Sequence, residues 1–209
     1  MKKAFAAANL TLGQMNALVK KLGGEDVVRR LLHGELTVCE VPEFASRWRE
    51  EGGVIHLTLT SNGMTGEQWI EHFEDRDFDL SVGAKQVLLR PGFRPSPKGT
   101  VFNIAILKGE LFGENARDVC NIRVEADRCK FFTPNAEVAC LIRESFTDKE
   151  IRKMGLAWIT TMHDPLDDHD GNESLLSVLC CLDGNGLRAA NGALGHRFGS
   201  NEGFAFEVK

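Results

Sequence analysis

The chain has 209 residues, of which 43% are hydrophobic and 26% charged, and carries a formal net charge of -5. This apolar share suffices to bury a core and excludes a disordered protein. No stretch approaches the roughly 18 apolar residues of a membrane helix, and the acidic balance argues against nucleic acid as a general partner.

The first residues, Met1-Lys2-Lys3 and then Ala4 to Ala8, imitate a secretion signal, but Asn9 and Thr11 break the apolar stretch. A cytoplasmic setting is therefore expected. Thr11 with Gln14 forms a capping-box start, followed by Leu12, Met15, Leu18, Val19 and Leu22 at helical spacing. Gly23-Gly24 ends that helix, and a second, with Val27, Val28, Leu31 and Leu32 on one side, stops at Gly34. Residues 1–34 thus read as an N-terminal helical hairpin and 35–209 as an α+β core domain.

Strands are expected over 36–41 and 54–60, with a short helix or loop around Trp48 between them. Thr65 with Gln68 caps a helix carrying Trp69, Ile70 and Phe73, and Ser81 caps another that ends before Pro91. An open loop follows to Lys98, and 101–107 is apolar on both faces, as a central strand requires. Residues 114–130 read as partly helical, Thr133-Pro134 as the opening of another helix, and Thr147 with Glu150 as a third capping box. Residues 156–162 and 175–182 read as strands around an acidic loop. The tract Asp183-Gly184-Asn185-Gly186 suits a hairpin turn, and 203–208 a last strand. This order points to an α+β fold with a mixed or antiparallel sheet covered by helices.

Six cysteines lie at 39, 120, 129, 140, 180 and 181 without metal or disulfide-framework spacing, so buried thiols in a reducing compartment are expected. The densest chemical feature is the loop from His163 to Glu173, in which His163, Asp164, Asp168, His169 and Asp170 offer oxygen and imidazole ligands for a divalent metal ion. The spacing does not fit an EF-hand, and a solvated turn between strands accounts for the same residues. A second feature is the basic stretch of Arg90, Phe93, Arg94 and Lys98, suited to phosphate or nucleic-acid contact, or to an ordinary solvated loop with Phe93 plugging the core. The hairpin has the outline of a helix-turn-helix with Arg29 and Arg30 on its second helix, though its turn is short for that motif.

Three stretches, TLGQMNALVKKLGG (11–24), EADRCKFFTPNAEVACLIRESFTDKEIRKMGLAWITTMHDP (125–165) and GFAFEV (203–208), together resemble a group of uncharacterised bacterial proteins from environmental genomes. The resemblance implies a bacterial cytosolic setting and no residue roles. The leading expectation for function is a non-catalytic binding protein with a protein or small-molecule partner. The alternatives are a divalent-metal-dependent hydrolase built on the acidic loop, in which the metal would activate water, and a nucleic-acid binder.

Overall fold

The structure is a computed structural model that describes residues 13, 16, 19, 24–35, 47–167, 169–181 and 184–209. The chain divides into two compact units, Met1–Ala45 and Ser46–Lys209. In the first, helix α1 (Glu25–Leu32) has acidic residues in its first turn and arginines in its last, matching the helix dipole, and none of its residues is buried. The first helix of the expected hairpin and the expected strand 36–41 lie outside the described stretches. No helix among the described residues is long and apolar enough to cross a membrane.

The second unit is an α+β fold whose sheet has nine strands among the described residues. Strand β1 (Trp48–Glu51) runs into β2 (Val54–Thr60) through Gly52-Gly53, with φ of 59° and 81°. Two successive left-handed residues make the tight turn that matches strand twist, which is why glycines stand there. The turn pairs Glu51 with Val54 and Trp48 with Leu57, so the segment around Trp48 is a strand and not the helix or loop expected.

Helix α2 (Gly66–Glu74) carries the Thr65/Gln68 capping box and buries Trp69 and Phe73, whose rings stack with centroids 5.2 Å apart. Strand β3 (Asp79–Leu80) leads to helix α3 (Val82–Leu88), capped by Ser81. Strand β4 (Val101–Lys108) then lies in mid-sheet, followed by helix α4 (Val119–Arg128), helix α5 (Glu137–Ser145) and helix α6 (Asp148–Lys153) with its Thr147/Glu150 box. Helix α5 begins later than Thr133-Pro134, at Glu137, and its N-cap Ala136 makes no side-chain hydrogen bond.

Strands β5 (Trp158–Thr161), β6 (Leu166–Asp167), β7 (Glu173–Cys181), β8 (Gly184–Asn191) and β9 (Glu202–Val208) complete the sheet. Its order is β1-β2-β4-β9-β5-β7-β8-β3, with β6 paired to β7. Two pairs, β5 with β9 and β3 with β8, are parallel, and the rest are antiparallel. The expected hairpin turn at 183–186 is displaced, because Gly184 already pairs with Cys181 and Gly186 lies inside β8. A Cβ on Gly186 would stand 1.7 Å from the Asp79 carbonyl oxygen, so this glycine lets β3 close against β8.

The two faces of the sheet are covered unequally. One packs Ile55, Leu57, Ile104, Ile106 and Val178 under helices α2, α3, α5 and α6, and forms the larger core. The other carries Leu107, Leu175, Phe204 and Phe206 under α4, which contributes Val119, Ile122 and Ala126. Each fully buried side chain of this size stabilises the fold by about 1.5–3 kcal/mol. Because one helix covers only part of its face, concave surface remains beside it.

Candidate functional site

Among its described residues the acidic loop is not arranged as a metal centre. His163 is 2% exposed, and its ring is engaged at both nitrogens: Nδ1 contacts the Asp164 carbonyl oxygen at 2.6 Å and Nε2 accepts the Leu176 N–H at 2.9 Å. This pairing suits the neutral Nδ1–H tautomer and leaves no lone pair for a metal. The His163 carbonyl accepts from Arg123 Nη2 at 2.8 Å, so the residue anchors the loop between α4 and β7. His169 and Asp170 stand in solvent with 3.8 Å between Nδ1 and Oδ1, Asp164 is exposed, and Asp168 lies outside the described residues. Among the described residues no three His, Cys, Asp or Glu side chains converge on a point a metal ion could occupy.

Burial lowers the His163 pKa from its ordinary 6.5 to about 4. The folded protein thus keeps this imidazole neutral while the unfolded chain protonates it near 6.5. The histidine's stabilising share is intact above pH 6.5 and is lost as pH falls towards 4, by roughly 3 kcal/mol. Unfolding free energies from urea titrations at neutral and acid pH are expected to differ less in His163→Gln than in the parent by about that amount. Equal pH dependence in both would show that the buried ring does not govern acid stability.

The basic loop meets the acidic one. Arg90 Nε donates to the Asp167 carbonyl at 2.8 Å, and the two loops border a shallow cleft of about 430 Å³. Phe93 is buried in the larger core, where no base could stack on it, while Arg94 and Lys98 are exposed. The loop is held from below by Glu137, fully buried, which accepts the Ser61 hydroxyl at 2.7 Å and the Ser96 N–H at 2.9 Å. With Ser61 also buried, this serine and carboxylate form a clasp closed to substrate. Cys140 and Cys180 likewise lack a thiolate-favouring setting, since burial pushes the first well up and the second up.

Another cavity lies elsewhere, on the sheet face that carries α4, with a volume of about 360 Å³. Register builds it: Trp158 pairs with Glu202 and Leu179, and Ser177 pairs with both Thr160 and Arg188, so alternate residues of β5, β7, β8 and β9 point the same way. Among its lining residues is buried Ser177, whose hydroxyl lies 2.7 Å from that of buried Thr160 behind it. One wall is aromatic, with half-buried Trp158 and with His196 set edge-on to Phe198 at 4.8 Å. Glu202 faces the cavity with one carboxylate oxygen accepting the Gly199 N–H at 2.8 Å. On the opposite side, Arg188 donates to the carboxylate and carbonyl of Asp79.

None of these cavity residues was singled out as a site from the sequence. Thr160 and Ser177 do interrupt apolar strands, and that is the one local signal they left. A further groove of about 410 Å³ beside β1, lined by Arg47, Trp48 and His56, has at its base an exposed Thr58–Asn103 pair and no buried polar floor. The chain matches no protein-family model, no curated protein and no solved structure.

Proposed function

We propose that this chain is a small-molecule-binding domain whose ligand sits in the cavity between β5, β7, β8, β9 and the 196–198 loop. The observation that carries this reading is the buried Ser177 hydroxyl, bonded to that of Thr160, in the lining of a concave opening walled by aromatic rings. Buried hydroxyls cost stability unless hydrogen-bonded, and here the pair satisfies itself while leaving acceptor capacity for a guest. The volume falls in the roughly 300–1,000 Å³ range of small-molecule sites, which combine apolar walls with a few placed polar groups.

A fragment library screened by thermal shift tests this. A ligand at about a hundred times its dissociation constant stabilises the fold by about 2.7 kcal/mol, readily visible as a raised melting temperature. Ala190 lines the cavity and is half-buried, so Ala190→Trp is expected to fill it. The variant should melt within about 1 kcal/mol of the parent and lose the ligand-induced shift. Hits that bind Ala190→Trp as well as the parent would place the ligand elsewhere and end this reading.

A further inference from the structure

We infer that the ligand is an organic ammonium carrying a flat apolar group, its charge held by Glu202 and its ring by Trp158 and Phe198. The inference rests on the binding reading of the same cavity and adds the chemical class of the guest.

Glu202 is the starting point. Its hydrogen bond to the Gly199 N–H occupies one oxygen, and among the described residues no cation pairs with it. Burial without a compensating charge raises its pKa above the ordinary carboxyl value. A half-buried carboxylate facing a cavity is relieved by a cation more than by any neutral guest. Arg188, across the cavity, does not fill that role, because its guanidinium is turned to Asp79 and neutralised there. That pairing also removes the positive charge that an anionic guest would need.

The aromatic wall favours the same class. The faces of tryptophan and phenylalanine rings attract ammonium groups and stack flat apolar ones. His196 stands edge-on against Phe198 in the lining, and a cavity of about 360 Å³ suits a single ring attached to a short amine arm. The Ser177 hydroxyl in the lining offers the guest a further hydrogen-bond acceptor.

Calorimetry with three probes of one shape tests the inference: phenethylamine as the cation, phenethyl alcohol as its neutral counterpart and phenylacetate as the anion. The amine is expected to bind at least about tenfold more tightly than the alcohol, as a hydrogen bond to a charged group implies, and phenylacetate more weakly still. Glu202→Gln keeps an acceptor for the Gly199 N–H and should bring the amine down to the alcohol's affinity, with unchanged amide NMR shifts away from the cavity. Alcohol or phenylacetate binding as tightly as the amine, in the parent alone, would overturn the ammonium class while leaving the cavity as the site. Failure of all three probes to bind would overturn both.

Discussion

Arg143→Met is expected to lower the stability of the second unit by roughly 3–5 kcal/mol, the range for breaking a buried ion pair from one side. The side chain of Arg143 is 2% exposed on α5. Its Nη1 donates to Asp148 Oδ1 at 2.7 Å and its Nη2 to the Phe146 carbonyl at 2.5 Å, with a further bond from Nη1 to the Leu179 carbonyl at 3.3 Å. The guanidinium also stands 5.1 Å from the centroid of Phe78. It therefore joins the end of α5, the start of α6, strand β7 and the segment between α2 and β3. Methionine matches its length but leaves Asp148, itself only partly exposed, and two carbonyls without their donor. Arg143→Lys is expected to recover less than half of the loss, because a single ammonium cannot reproduce the fork geometry. Urea unfolding of both variants measures this. A loss below about 1 kcal/mol for Arg143→Met would mean that water replaces the arginine and that the fork is not a structural joint.

The second large effect is expected at Gly66, the first residue of α2. A Cβ there would stand 1.8 Å from the Leu88 carbonyl oxygen and 2.7 Å from its carbon, both backbone atoms at the end of α3. Helix propensity alone predicts that Gly66→Ala stabilises the protein by about 1 kcal/mol. Packing predicts the opposite sign, because α2 and α3 would have to separate while Trp69, Phe73 and Leu88 remain fully or almost fully buried beneath them. A loss of about 3 kcal/mol or more is expected, at the upper end for overpacking. Gly113→Ala serves as the control, since nothing lies within 4 Å of its Cβ position and its φ of -58° suits any residue. The control should change stability by less than about 1 kcal/mol. A neutral or stabilising Gly66→Ala would show that the two helices can part at little cost.

These two sites illustrate what could and could not be read along the chain. The boxes at Thr65/Gln68 and Thr147/Glu150 were legible because each is closed by residues three apart, through bonds formed whatever packs outside. Strand β4 was legible because a segment apolar on both faces suits burial within a two-sided sheet. Strand β1 was not, since three of its four residues are charged and only pairing with β2 across Gly52-Gly53 makes it a strand. Strand β8 was hidden by glycines that read as a turn, although Gly186 serves close approach to β3.

Acidic residues crowded between 163 and 173 suggested a metal loop, yet the ring of His163 turns inward to Leu176 and Asp164, Asp167, Asp170 and Glu173 are exposed to solvent. The cavity took the reverse course, assembled from Trp158, Ser177, Arg188 and Glu202 without any of them forming a pattern in sequence. The sequence by itself determined the α+β class, the capped helices and the central strand, because periodicity and capping are set by neighbours within a few residues. Only the tertiary structure decided the strand order, the shielding of His163 and the chemistry of the cavity. Those depend on which strands lie side by side, and in this sheet β9 pairs with both β4 and β5, so neighbours in space are set by long-range pairing and not by order along the chain.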